Sequence, residues 1–264
     1  MRDRFTNKVV LLVGGGTERD GHSNGSAAAV SYAREGATVV VVDRVAEAAE
    51  ATVAEIVANG GHAFSALADV TSEADVERVV AETVESQGSI DVLHNNVGMT
   101  QMGLPPDLSL EDWNRAFSVN LGSVFLTCKY VLPVMIAQGA GAVVNISSLA
   151  SLRYLEYPYP AYAASKAAVN HLTSSLALEY ADRGIRINAV APGYINSPMI
   201  YRQLATQYAT VEEMIAARDA KMPNGKMGTP WDVANASLFL ASDDASFING
   251  VILPVDGGLH MRAR

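Results

Sequence analysis

Residues 9–43 read VVLLVGGGTERDGHSNGSAAAVSYAREGATVVVVD, and their order sets the fold. Val9–Val13 is wholly apolar and runs into Gly14-Gly15-Gly16. Asn24-Gly25-Ser26 then opens an alanine-rich segment of helical spacing over 26–35, and a second apolar run over 39–42 ends in Asp43. Short β-branched runs without in–out alternation are typical of strands covered on both faces of a parallel sheet. The expected unit is strand, glycine turn, helix, strand, closed by a right-handed crossover.

The two periods alternate along the rest of the chain. Apolar runs at 90–93, 142–146, 185–190 and 251–255 are expected strands, and a third strand region precedes Asp69. Helical spacing recurs at 45–58, 74–86, 110–137, 162–181 and 230–240. Sustained alternation of this kind predicts a Rossmann-type doubly wound α/β sheet of about seven strands with helices on both faces. With 264 residues and no linker, repeat or charge block, residues 1–264 are expected to form a single dinucleotide-binding domain. The rhythm breaks at 194–228, a mostly helical insertion expected to serve as a substrate lid.

Composition narrows the function. A chain of this length buries roughly 70–75% of its unfolded surface without disulfides or metals. The 49% hydrophobic content, with only 21 glycines and 10 prolines, excludes disordered and collagen-like chains. A net charge of −9 disfavours nucleic acid and anionic membranes, while a local anion site on backbone N–H groups stays open. Cys128, the single cysteine, lies in an apolar run and reads as inert core, leaving no disulfide framework. No uninterrupted apolar stretch approaches the ~18 residues of a membrane span, and residues 1–8 do not resemble a signal peptide. A cytoplasmic protein is expected.

The glycine turn after the first strand suits a dinucleotide. Without side chains, Gly15, Gly16 and Gly25 let the backbone approach a pyrophosphate, and Asn24 opens the helix whose free N–H groups bind anions. Asp43, eighteen residues beyond Gly25, stands where a carboxylate accepts the ribose 2′-OH and repels a 2′-phosphate. NAD is therefore the expected cofactor. NADP is less favoured, but Arg44 and Arg19 keep it in view.

Further along, Asp69-Val70 follows the third strand region and Asn95-Asn96-Val97-Gly98 ends the fourth. Asn145-Ile146-Ser147-Ser148 ends the fifth, and Tyr162-Ala163-Ala164-Ser165-Lys166 follows. Tyr162 and Lys166, four apart on a helix, share a face. A neighbouring cation lowers a phenol whose unperturbed pKa near 10 makes it a poor acid–base at neutral pH.

In these motifs, and from the first strand to Asp256-Gly257-Gly258, the chain resembles the compact single-domain branch of the short-chain dehydrogenase/reductase family. The resemblance implies Tyr162 as acid–base, Ser148 as hydrogen-bond donor to the substrate oxygen, and Lys166 as the group that lowers Tyr162 and holds the nicotinamide ribose. It implies Asn120 as support for a water-linked proton relay. Asp69 and Val70 would bracket the adenine, Asn96, Val97 and Gly98 would line the cofactor wall, and Ile195 and Ser197 would meet the carboxamide. It further implies an alcohol or ketone substrate and a homotetramer, or a dimer, paired through the helices at 110–137 and 162–181.

Three departures from the family pattern stand out. Gly14 replaces the usual threonine of the glycine loop, Ser23 replaces its middle glycine, and about four residues, including Glu18, Arg19 and Asp20, are inserted within 17–22. The Ser148-to-Tyr162 spacing is one residue longer than is usual in the family, which leaves Ser147 as a second candidate. His94 takes an aliphatic position and reads as a satisfied core histidine. His22, His62, His171 and His260 are scattered without ligand spacing, which disfavours zinc. Tyr154, Tyr157 and Tyr159, with Met99, Met102, Met199, Leu204 and Met214, are candidates for an apolar pocket wall. Arg153 reads as surface or as an anion contact. The expected activity is NAD-dependent interconversion of a secondary alcohol and a ketone. The alternatives are an NADPH-linked 3-oxoacyl reductase and a non-catalytic dinucleotide sensor.

Overall fold

Seven strands form one parallel sheet: β1 (Val9–Val13), β2 (Thr38–Asp43), β3 (His62–Leu67), β4 (Val92–Asn95), β5 (Gly141–Ile146), β6 (Ile185–Pro192) and β7 (Ile252–Val255). Their spatial order is β3-β2-β1-β4-β5-β6-β7. The structure is a computed structural model and describes residues 3–17, 21–204 and 208–262. Glu18, Arg19, Asp20 and the side chain of Leu204, named above, lie outside the described residues.

Alternate strand residues feed two cores. Val10 and Leu12 of β1 pack with α1 (Asn24–Arg34), α2 (Ala46–Ala58) and α9 (Pro230–Ala241). Leu11 and Val13 pack with α3 (Glu73–Gln87), α5 (Ser123–Gln138) and α6 (Pro160–Glu179) on the other face. The double covering explains why β1 and most of β2 read as continuous apolar runs. β3 escaped that pattern because it is an edge strand with Phe64 and Leu67 half exposed.

The chain steps outward from β1 to β3 and then returns to place β4 on the opposite side of β1. This reversal opens a crevice beyond the carboxyl ends of β1 and β4, where open α/β sheets bind ligands. Both glycine turn and Asn95–Gly98 segment are delivered to it. The Asn96 N–H donates to Val13 O at 2.9 Å and its Nδ2 donates to Gly14 O at 2.8 Å.

The expected helix over 110–137 is three pieces: α4 (Leu110–Phe117), a π-helical turn (Ser118–Gly122) and α5. Together they make a continuous 29-residue span long and apolar enough to cross a membrane by length and composition. Here α5 instead buries Val124, Cys128, Val131, Leu132 and Met135 against the sheet. Burial pushes the Cys128 thiol up to about 12, which keeps it protonated. The insertion at 194–228 contains α7 (Pro198–Leu204) and α8 (Val211–Asp219). Both sit over a satellite cluster that includes Tyr157, Tyr159, Tyr194, Ile200 and Met214.

Candidate active site

A cleft of about 850 Å³ runs along the carboxyl ends of the strands, from Gly14 and Asp43 at one end to Tyr162, Tyr194 and α8 at the other. The nucleotide end is built from backbone. Gly14 has φ of +79°, and a Cβ there would meet Val97 at 2.9–3.0 Å. A Cβ on Gly25 would lie 2.0 Å from Gly14 O and 2.5 Å from Asn96 Nδ2, so the start of α1 is pressed against the turn. Ser23, which replaces a family glycine, caps α1: its Oγ accepts from the Ser26 N–H at 3.0 Å and donates to Gly16 O at 3.1 Å. This cap explains why α1 starts two residues before the expected position.

Asp43 closes the turn. Its Oδ2 accepts from the Gly16 N–H at 3.0 Å and its Oδ1 from the Val45 N–H at 3.1 Å. Asp69 is held by Thr71, whose hydroxyl and N–H donate to Oδ1 at 2.7 and 2.9 Å. Those bonds lower its pKa, with a smaller contribution from the Arg44 charge. Arg44, Val70, Val97, Ile195 and Ser197 all line the same cleft.

These features fit a dinucleotide. A Cβ on Gly14, Gly15, Gly16 or Gly25 would collide with the chain's own atoms. Glycine is therefore what lets the turn and the start of α1 pack closely beside the cleft that Gly14, Gly16 and Asn24 line. Asn24 Oδ1 is buried at the start of α1 without a hydrogen-bond partner among the described residues, although its residue lines the cleft. A buried amide oxygen left unpaired is costly, and a ligand donor would remove that cost.

At the other end, α6 carries Tyr162 and Lys166 into the cleft. Burial raises the Tyr162 phenol above its ordinary value, and a hydrogen bond with the Ser148 hydroxyl opposes that rise. The lowering expected from Lys166 is not the opposing effect in the chain itself. Lys166 Nζ donates to Ile146 O at 2.8 Å and to Val97 O at 3.4 Å, and burial lowers its own pKa to about 8. Ser148 and Ser147 separate cleanly. Ser147 Oγ lies 3.3 Å from Lys166 O and 3.2 Å from Ser151 Oγ, whereas Ser148 Oγ accepts from the Ala150 N–H at 3.2 Å and is the serine that lowers the Tyr162 phenol.

Asn120 lies in the π-helical turn, fully buried. Its Oδ1 accepts from the Met99 N–H at 2.7 Å, and its Nδ2 donates to Met99 O at 3.0 Å and Ser165 Oγ at 2.9 Å. The side chain thus ties the loop after β4 to α6, one residue from Lys166. π-turns interrupt the regular helical ladder and recur at functional sites.

A family model described as Enoyl-(Acyl carrier protein) reductase matches residues 20–260. The 2,5-dichloro-2,5-cyclohexadiene-1,4-diol dehydrogenase LinX of Sphingobium indicum is 38% identical over 98% of each chain. The cyclohexanol dehydrogenase of an Acinetobacter species is 40% identical over 97% of this chain and 96% of its own. A solved Beutenbergia cavernae protein, described as an NAD(P)-dependent gluconate 5-dehydrogenase with NADP at low occupancy, superposes with a TM-score of 0.89. It is 32% identical and covers 99% of this chain and 100% of its own.

The chain is a short-chain dehydrogenase/reductase. Its geometry also revises several expectations drawn from sequence. Tyr154 is exposed rather than part of the pocket wall, while Tyr157, Tyr159, Met99, Met102 and Met199 do line the cleft. Arg153 is exposed, in keeping with its surface reading, and its Nη1 donates to the carbonyls of His260, Leu259 and Arg262, which ties down the C-terminal segment. His94 is buried, but only Nδ1 has a partner, Tyr32 Oη at 3.3 Å. Nε2 has none, and burial lowers its pKa to about 3. His260 does meet a carboxylate, with Nδ1 2.9 Å from Asp256 Oδ2. Arg218 on α8, absent from the sequence-based candidates, is buried in the cleft wall. Its signal was the helical spacing from Met214: these two are the buried residues of α8.

Proposed function

We propose that this short-chain dehydrogenase/reductase interconverts a secondary alcohol, cyclic and mainly apolar, with its ketone, using NAD. The observation that carries the proposal is one continuous cleft that brings Ser148, Tyr162 and Lys166 together with the glycine turn and Asp43. The relatives' action on cyclohexanol and on a cyclohexadiene diol supports the substrate class.

Gly15, Gly16, Asn24 and Gly25 would hold the pyrophosphate, and Asp43 the adenosine ribose. Val70 and Asp69 would flank the adenine, and Lys166, Ile195 and Ser197 the nicotinamide half, beside the wall of Asn96 to Gly98. When bound, the nicotinamide supplies the hydride acceptor. In oxidation the Tyr162 phenolate takes the carbinol proton at Oη, and Ser148 Oγ donates to the developing carbonyl oxygen. Asn120 acts through Met99 and Ser165, fixing the walls around Lys166. Asp43 favours NAD because a 2′-phosphate would meet its carboxylate. We also propose a homotetramer, or a dimer, paired through α5 and α6.

The test is dinucleotide reduction over a panel of cyclic secondary alcohols. Turnover is expected with NAD+ in preference to NADP+, and Tyr162→Phe should reduce it by about 10²–10⁴-fold. Turnover unaffected by Tyr162→Phe would refute the acid–base assignment, and tighter use of NADP+ would refute the cofactor assignment.

A further inference from the structure

Arg218 is only 4% exposed and lines the substrate half of the cleft. Its Nη1 donates to Tyr157 Oη at 2.9 Å, and its Nε faces Met227 Sδ at 3.3 Å. The guanidinium carbon lies 4.2 Å from the centroid of the Tyr194 ring. No carboxylate stands within ion-pair distance among the described residues, and Nη2 has no acceptor among them.

This is an incomplete environment for a buried cation. A guanidinium carries five N–H donors in a planar fork suited to a carboxylate. A phenol oxygen and a thioether use two of them, the second weakly. The Tyr194 face offsets part of the lost hydration, yet a buried ion without a counterion remains expensive. Lid segments that only need anchoring use apolar contacts, and α8 already has Met214 fully buried for that purpose.

The surroundings are of the same sign. Away from Asp43 and Asp69 at the nucleotide end, the acidic residue lining the cleft is Glu111, against Arg115, Lys166 and Arg218 among the cations. In a chain of net charge −9, that local excess of cations is set against the global field. Position completes the case. Ring-to-ring steps of 5.4 Å from Tyr162 to Tyr159 and 5.5 Å from Tyr159 to Tyr157 lead to the hydroxyl that Arg218 holds. A ring-sized substrate with its carbinol at Tyr162 would direct its far side toward Arg218.

We infer that Arg218 binds substrate, and that the substrate carries a carboxylate remote from the carbinol that is oxidised. This inference rests on the dehydrogenase function proposed above and refines it: the ring packs on tyrosine and methionine, and the acid pairs with Nη2. Tyr157 fixes the fork in place through Nη1.

The test is a binding measurement that needs no turnover. The full chain, with and without saturating NADH, is titrated calorimetrically with cyclohexanecarboxylate and with cyclohexanecarboxamide, isosteric rings that differ in charge. Wild type should prefer the carboxylate by at least tenfold, the size of one charge-assisted hydrogen bond. Arg218→Met should abolish that preference while leaving NADH affinity unchanged. Equal binding of the two ligands by wild type would overturn the inference, as would a preference that survives Arg218→Met. Arg218→Gln, which keeps a donor toward Tyr157, replaces the methionine variant if that one does not fold, and the same outcomes apply. A charge preference in a chain that oxidises no alcohol would sustain Arg218 as an acid-binding residue and refute the catalytic proposal instead.

Discussion

At the scale of single residues, the proposed chemistry turns on one phenol in the cleft wall. Burial raises the Tyr162 pKa, and the Ser148 hydroxyl is the group of the chain that works against it. Alcohol oxidation needs the phenolate, so its rate must rise with pH through the Tyr162 pKa in the ternary complex. Ketone reduction needs the phenol and must fall over the same window. Removing the Ser148 hydroxyl withdraws a bond that favours the charged form. Ser148→Ala should therefore move the rising limb of kcat/KM for oxidation to higher pH, besides lowering its plateau, in a pH–rate profile at saturating NAD+. A lowered plateau with an unmoved limb would confine Ser148 to substrate binding. Lys166 Nζ is held by Ile146 O and Val97 O rather than by Tyr162.

At the scale of elements, the π-helical turn (Ser118–Gly122) carries the greatest consequence. It turns Asn120 inward so that one amide meets both polar groups of the Met99 backbone and Ser165 Oγ. Asn120→Ala strands those groups in a buried site and should cost roughly 1–3 kcal/mol. The expected signature is a lower denaturant midpoint with an unchanged slope, together with a raised KM as the Met99 loop loosens. An unchanged midpoint would show that water replaces the amide. Sequence periodicity places this helix but not its defect, because a five-residue turn of π geometry barely disturbs the spacing of apolar residues. Legibility elsewhere follows the same physics. The strands covered on both faces announce themselves as apolar runs, whereas β3 at the sheet edge does not. The Tyr162–Lys166 pair is visible because both lie on one helix. Arg218 is not, because its meaning depends on Tyr157 and Tyr194, which arrive from distant loops. Asp43 was legible as a strand end, but its grip on the Gly16 N–H is a property of the folded turn.

At the scale of the whole molecule, large apolar side chains stand exposed on the helices that cover one face of the sheet. Phe125 of α5 is 55% exposed and Leu178 of α6 is 83% exposed, with Ile136 on the same outer stripe as Phe125. The α6 stripe between Ala164 and Leu178 carries Ala167, His171 and Ser174, an imidazole flanked by small side chains. Two such helices paired about a two-fold axis present the same patch to each other, as a closed dimer or tetramer requires. The opposite ends of those helices hold Asn120, Tyr162 and Lys166, so an interface on their outer faces would stiffen the elements that carry the site. Phe125→Glu combined with Leu178→Glu places like charges across the axis and should reduce the mass measured by sedimentation to that of a smaller species. Activity should fall with dilution in the variant but not in wild type. A wild-type mass equal to one chain, at concentrations where the enzyme is fully active, would rule out the assembly.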